Sequence, residues 1–339
     1  MKWTARTGIN LISSGFLQAS ILGVIFLFSI LCHAAETCET GTEMNPAARS
    51  ALESTAKRYF DMAARGDSAS LKQNAIPELV SSFSGIETAV NDHKDEFAGA
   101  QSTVLPPYLL EADGNAPIAR AEFFCGIYNS PDRVGFVIPN LAPGKYGVVI
   151  QHVTGKKEQY AVSMILQQVG NDWKLGGYYV RQTTIGGHEA QWFWDKARQF
   201  KSQGQVHNAY FYYIEARQLL APVDFMGTPQ LDKIYDETQQ SVPNDMPVNG
   251  PVNVTFGGKN YKLTQVFPTS VGSDLDLVVR YDVPDISNTN LTFNENMAVI
   301  KGIVGKYPEF RDAFAGVVAR AVNPSGQDYG SLLAMKDIK

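Results

Sequence analysis

At Ser102 the hydrophobic period of the chain changes, and that change limits the fold more than any other feature. Before it, apolar residues recur at helical spacing. The stretch "NPAARSALESTAKRYFDMAARGD" puts Leu52, Ala56, Tyr59, Phe60 and Ala63 on one face. Asn45 is placed to cap this helix, Pro46 suits its first turn, and Gly66 suits a left-handed exit. A short helix is expected after Asp67, and Phe83, Ile86, Val90 and Phe97 mark a third helical pattern. After Ser102 the runs "ARAEFFCGIY", "RVGFVIPNL", "KYGVVIQHV" and "EQYAVSMILQQV" are strand-like, separated by breaks rich in Pro, Gly, Asn or Lys. "GNDWKLGGYYVRQT" adds a tight turn and an aromatic strand. Helices in one block followed by antiparallel strands predict an α+β domain, with the helices on one face of a curved sheet.

This order, closed by the turn Asp172-Trp173-Lys174-Leu175, resembles the NTF2-like (cystatin-like cone) superfamily over residues 46–184. Members commonly start with an amino-terminal helix pair and finish in a strand introduced by such a turn. Three helical patterns precede the strands here, a departure that leaves the exact family open. The resemblance implies a cone between helices and sheet, with His152, Tyr160 and Tyr178 as candidate lining residues. Enzymes of the superfamily use Asp, His or Tyr in such cones for proton transfer, whereas many accessory members fill theirs with side chains. No motif matches residue by residue, so no catalytic role is carried over. His152, within "VVIQHV", also reads as an ordinary hydrogen-bonded strand histidine.

Residues 188–222, "HEAQWFWDKARQFKSQGQVHNAYFYYIEARQLLAP", are dense in rings. Phe193, Ala197 and Phe200 recur at helical spacing, Gly204 interrupts, and Ala209, Tyr213 and Ala216 resume it before Pro222. That alternation of large and small residues around a glycine turn is similar to one tetratricopeptide (TPR) repeat. No second copy follows, so an orphan helical hairpin is expected, obliged to cover its apolar face with a neighbour. Trp192, Trp194, Tyr210, Phe211 and Tyr212 are surplus to the repeat pattern. They read as packing surface or as an exposed patch for a protein partner.

Residues 223–250 read as a linker with a short helix, rich in Pro and Gly. Residues 251–339 then predict β-β-β-α-β-β, a small α+β domain. Its first hairpin turns at Gly257-Gly258, and "DLDLVVRYDV" is a clean alternating strand. Asp274, Asp276 and Asp282 share one face of that strand with Arg280, a pattern read as solvent-facing, with a hard cation as the minor alternative.

The amino terminus bears on location. Lys2 and Arg6 precede an eleven-residue apolar core at 21–31, and small residues follow at Ala34 and Ala35. This is the anatomy of a secretory signal peptide over 1–34, too short in its apolar core for a comfortable membrane span. A lipid anchor on Cys32 is disfavoured by the bulk of Leu31. Losing Lys2 and Arg6 takes the net charge from −5 to −7. With no run of Lys and Arg anywhere, nucleic acid is not an expected partner. Cleavage also leaves Cys38 and Cys125, either bridged in an oxidising compartment or, for Cys125, simply buried as a small hydrophobe.

No P-loop, G-x-S-x-G elbow, CxxC pair or dinucleotide fingerprint occurs, so no cofactor is expected. His93, His152, His188 and His207 include no i, i+4 pair, so no metal is expected either. The favoured reading is an exported, noncatalytic accessory protein that binds a partner protein or a small apolar ligand in the cell envelope. The rivals are an enzyme using acid-base groups in the cone and a structural subunit of an envelope complex.

Overall fold

The computed structural model describes residues 36–127 and 130–339, and the expected export segment at 1–34 lies outside them. A strand β1 (Glu36–Thr40) leads into four helices: α1 (Pro46–Ala64), α2 (Ser68–Gln73), α3 (Pro77–Val80) and α4 (Ser84–Phe97). Local chemistry fixes their ends. Asn45 Oδ1 accepts from Ala47 N at 2.9 Å, Asp67 Oδ1 accepts from Ser70 N at 3.0 Å, and Gly66 turns at φ +74°.

Seven strands follow: β2 (Gln101–Val104), β3 (Tyr108–Ala112), β4 (Ile118–Cys125), β5 (Val134–Leu141), β6 (Gly144–Thr154), β7 (Gln159–Val169) and β8 (Asp172–Gln182). Five strands form an antiparallel sheet in the order β1-β3-β6-β7-β8, and β2 also pairs with β6. The helices pack on one face of this sheet. Leu52, Tyr59, Phe60 and Phe83 meet Val149, Val162, Met164 and Leu175, all at most 2% exposed. A Cβ at Gly147 would run into the Leu52 side chain, so glycine there leaves room for Leu52 of α1 to seat against the sheet. A bulge between Ile165 and Leu166 sets Leu166 opposite Leu175 but Met164 opposite Tyr178. The irregularity lets both Leu175 and Tyr178 face the helices despite their odd separation.

Strands β4 and β5 do not extend this sheet. They form a hairpin whose alternating residues Ala121, Phe123, Phe136 and Ile138 pack on the sheet's other face, against Leu110, Tyr146 and Val148. Cys38 on β1 and Cys125 on β4 are disulfide-bonded, with Cα atoms 5.2 Å apart. The bridge ties the edge of the main sheet to the layer above it.

Two short strands, β9 (Thr184–Ile185) and β10 (His188–Glu189), lead into the helical hairpin α5 (Ala190–Ser202) and α6 (Val206–Leu220), which turns at Gly204 with φ +78°. Ala197, Ala209 and Ala216 are fully buried and let the two helices approach closely. Beyond it come β11 (Met226–Gly227), which pairs with β5, and α7 (Pro229–Gln239), capped by Thr228.

The carboxy-terminal region runs β12 (Val252–Phe256), β13 (Lys259–Val271), β14 (Asp274–Asp282), α8 (Thr289–Lys306), β15 (Gly316–Val322) and β16 (Asp328–Ala334). Its sheet follows chain order, with β14 and β15 parallel across the α8 crossover and every other pair antiparallel. That parallel pairing makes β14 a central strand. The expectation of a solvent face for Asp276 is therefore corrected: Asp274 and Asp282 are exposed, but Asp276 is buried. Burial, with Asp274 adding to it, pushes the Asp276 carboxyl up against the opposing backbone hydrogen bond from Gly316. Among the described residues no group of three or more His, Cys, Asp or Glu side chains could hold a metal ion. No described helix is long and apolar enough to cross a membrane.

Candidate functional site

The residues singled out in the sequence fall in different places. Tyr178 faces the helices and is buried, with a hydroxyl that has no hydrogen-bond partner among the described residues; burial raises its pKa well above the ordinary phenol value. Tyr160 lies at the end of the same face, edge-on to Phe97 at 5.2 Å and to His93 at 5.6 Å. Its hydroxyl is pushed up to about 12 by burial, with the carboxylates of Glu96 and Glu158 adding to the effect.

His152 does not line the helix-filled side. Side chains alternate along a strand, and Val149, Gln151 and Val153 take the inward positions of β6. Gln151 is fully buried, its Nε2 donating to Ala56 O of α1 at 3.0 Å, so His152 points outward and is exposed. The assignment of His152 to the cone is thus corrected by the pleat of its own strand.

The aromatic stretch resolves towards packing. Trp194, Tyr210, Phe211 and Tyr212 are 5, 8, 0 and 6% exposed, which removes them as an exposed partner surface. The Phe211 ring centre lies 6.0 Å from that of Phe310 and 6.1 Å from that of Phe314, while the Tyr212 hydroxyl donates to Ala313 O at 2.6 Å. The hairpin therefore shares one continuous core with the carboxy-terminal sheet. Trp192 is half-buried and stacks on His188, ring centres 4.0 Å apart and 9° from parallel.

The outward turn of His152 places it in a cleft. The β4–β5 hairpin covers only one end of the main sheet's outer face. Over the other end pass the last turn of α6, the segment leading to β11, and the start of α7. Together they enclose about 560 Å³. Leu105, Ile150, Leu220 and Leu231 give the walls apolar area, while His152 and Gln159 present polar groups. Asp132, Arg133 and Glu189 bring two acids and one base to the lining. A cavity of this size, mostly apolar with a few convergent polar groups, is the ordinary form of a small-ligand site.

Its walls are fixed by paired groups. Val137 N donates to Phe225 O at 2.9 Å, continuing the β5–β11 pairing, and Arg181 pairs with Asp224 at 2.7 Å. On the neighbouring rim the buried Glu158 accepts from Thr184 Oγ1 at 2.6 Å and from Gly186 N at 2.9 Å. Sequence reasoning found His152 and Tyr160, both of which line the cleft, and missed Asp132, Arg133, Gln159 and Glu189. These come from a loop, a strand start and a helix cap, and no local pattern brings them together. Comparison with protein-family models, curated proteins and solved structures finds no match to the chain.

Proposed function

We propose that this is an exported, noncatalytic binding protein whose ligand site is the cleft above the outer face of its main sheet. The observation that carries the reading is the half-covered face. One end is sealed by the β4–β5 hairpin, and the other carries exposed His152 beneath a roof supplied by a different part of the chain. The lining suits a small molecule with an apolar body, seated on Ile150 and Leu220, and a polar end towards His152 and Gln159.

Export is supported by the basic start, the short apolar core and the small residues at Ala34 and Ala35, and fits the Cys38–Cys125 bridge. Helices filling one face of an antiparallel sheet support an NTF2-like reading of residues 46–184, of the accessory kind whose cone holds side chains. The close-packed pair α5 and α6 supports a TPR-like reading of residues 188–222. Against the enzyme reading, Tyr178 is buried in the core between the helices and the sheet rather than in the cleft, and so offers no acid or base to a ligand there.

Native mass spectrometry tests the proposal on protein gently purified from an exporting host with its own leader on the gene. The expected species starts at Ala35 or Glu36 and carries a small added mass lost on denaturation. His152→Trp, which fills the cleft from an exposed position, is expected to emerge folded and bare. A wild-type chain without added mass, or a variant that keeps it, overturns the cleft assignment.

A further inference from the structure

A second cavity, of about 280 Å³, lies where three parts of the chain meet. His93 of α4, Tyr160 of β7, and Arg181 and Gln182 of β8 form one side. Glu215 and Gln218 of α6 form another, and Thr269 and Ser270 of β13 close it. It adjoins the cleft at Tyr160 and Leu219, but its character differs, because polar side chains dominate the wall.

Glu215 is the anomaly. It is only 4% exposed, and its Oε2 oxygen has no hydrogen-bond partner among the described residues. A buried carboxylate without a partner is strongly unfavourable, and a folded protein either holds the acid protonated or satisfies its charge with something else. The nearest cation on the wall, Arg181, is already paired with Asp224 at 2.7 Å. Gln182 Oε1 accepts from Ser270 Oγ at 2.8 Å, which ties β8 to β13 and fixes the cavity's far wall.

We propose that this cavity binds a small organic ammonium ion, with Glu215 as its anionic anchor. Three features of the wall select that class. Glu215, once ionised, supplies a single negative charge, which matches one ammonium and is too few for a divalent cation, whose sites use several carboxylates. The neutral oxygens of Gln182, Gln218, Thr269 and Ser270 are acceptors for the remaining N–H groups. The rings of His93 and Tyr160 offer faces and edges to the carbon part of an amine. At roughly 30 Å³ per water-sized group, the space admits about nine such groups, an amine of metabolite size.

The charged and titratable groups around Glu215 set the pH response. They are His93 from α4, Tyr160 from β7, Arg181 from β8 and Tyr212 from its own helix, with Glu96 and Glu158 behind Tyr160. Burial pushes the Glu215 carboxyl up to about 7. Near neutrality the free protein therefore holds it partly protonated, and an ammonium ion favours the ionised form. Binding should strengthen as pH rises through about 7, while the ligand itself stays charged.

Isothermal titration with ethylammonium chloride, against sodium chloride at matched ionic strength, tests this on the mature chain. The expected result is saturable binding at about pH 8 that weakens at least tenfold by about pH 5, with neutral ethanol giving none. Glu215→Gln, which keeps the shape and removes the charge, should weaken binding at least tenfold at about pH 8. Absence of saturable binding in the wild type, a flat pH profile, or unchanged affinity in the variant each overturns the proposal. The pH profile needs no variant. The cleft ligand is read by its loss in His152→Trp, a residue that does not line the second cavity, so either proposal can fail alone.

Discussion

Glu237 and Glu215 are the same residue type in the same helical layer, and their surroundings drive them in opposite directions. Glu237 on α7 accepts from Arg198 Nε at 2.9 Å, Arg198 Nη2 at 2.7 Å and Trp194 Nε1 at 2.9 Å. The Arg198 hydrogen bonds, against some opposing burial, hold its carboxyl down at about 2. Glu215 on α6 is buried, its Oε2 has no donor among the described residues, and it is pushed up to about 7. The other polar joint of the hairpin resembles Glu237: His207 lies between Asp245 Oδ1 at 2.8 Å and Glu309 Oε1 at 2.9 Å. Joints that only hold the parts together are closed by pairing. The unpaired acid stands at the joint that contains a cavity, and that separates a candidate site from architecture.

The largest effect is expected at the open joint. Because the folded-state pKa of Glu215 exceeds its unfolded value of 4.5, the folded chain binds the extra proton. Ionisation therefore penalises the fold from above about pH 4.5, and the full penalty is reached once pH passes about 7. Glu215→Gln removes that penalty. It should stabilise the ligand-free protein by about 2–3 kcal/mol at pH 8 and leave it unchanged near pH 4. Urea unfolding at both pH values checks it. A variant that is less stable at pH 8 would mean that the carboxylate has a protein partner, and the contrast with Glu237 would dissolve.

A smaller effect comes from making Glu237 resemble Glu215. Arg198→Ala strips the bidentate partner and also the guanidinium 4.2 Å from the centre of the Trp194 ring. Arg198 is itself partly exposed, so solvent reaches the carboxylate that is left behind. The expected loss is about 2 kcal/mol at neutral pH. The Glu237 carboxyl should rise towards its ordinary value, which a carbon-detected NMR titration of the side chain reads directly.

How much of this was legible follows from what each feature depends on. The α+β order, the caps at Asn45 and Asp67, and the Gly204 turn are local, and period and turn chemistry reveal them. The departure of β4 and β5 from the main sheet and the parallel pairing of β14 with β15 are decisions between distant strands, which alternation alone does not encode. His152 was misplaced because one strand carries two polar neighbours, Gln151 and His152, and only packing against α1 shows which faces in. Glu215 leaves a trace in the sequence. In "FYYIEARQLL" it stands four residues after Phe211 and four before Leu219, an acid on an otherwise apolar stripe. Rings drew attention to this stretch, yet its exceptional residue is the one that is not a ring.

The smallest predicted effect is the closing test of the contrast. Glu237→Gln keeps an amide oxygen to accept one hydrogen bond and removes the charge that Arg198 and Trp194 share. The folded-state pKa of Glu237, about 2, lies below its unfolded value of 4.5, so its contribution is fully present above about pH 4.5 and is lost as pH falls through about 2. Screening at the partly exposed Arg198 holds the expected loss to about 1 kcal/mol at pH 7. Below about pH 2 the variant and the wild type should converge. Combining it with Arg198→Ala should add little to the arginine variant alone, because both remove the same interaction. Strict additivity would show that Arg198 acts through Trp194 rather than through the carboxylate. In that case the low pKa of Glu237 would have to come from the Trp194 indole and the Tyr213 hydroxyl, and the joint would count as closed by rings instead of by charge.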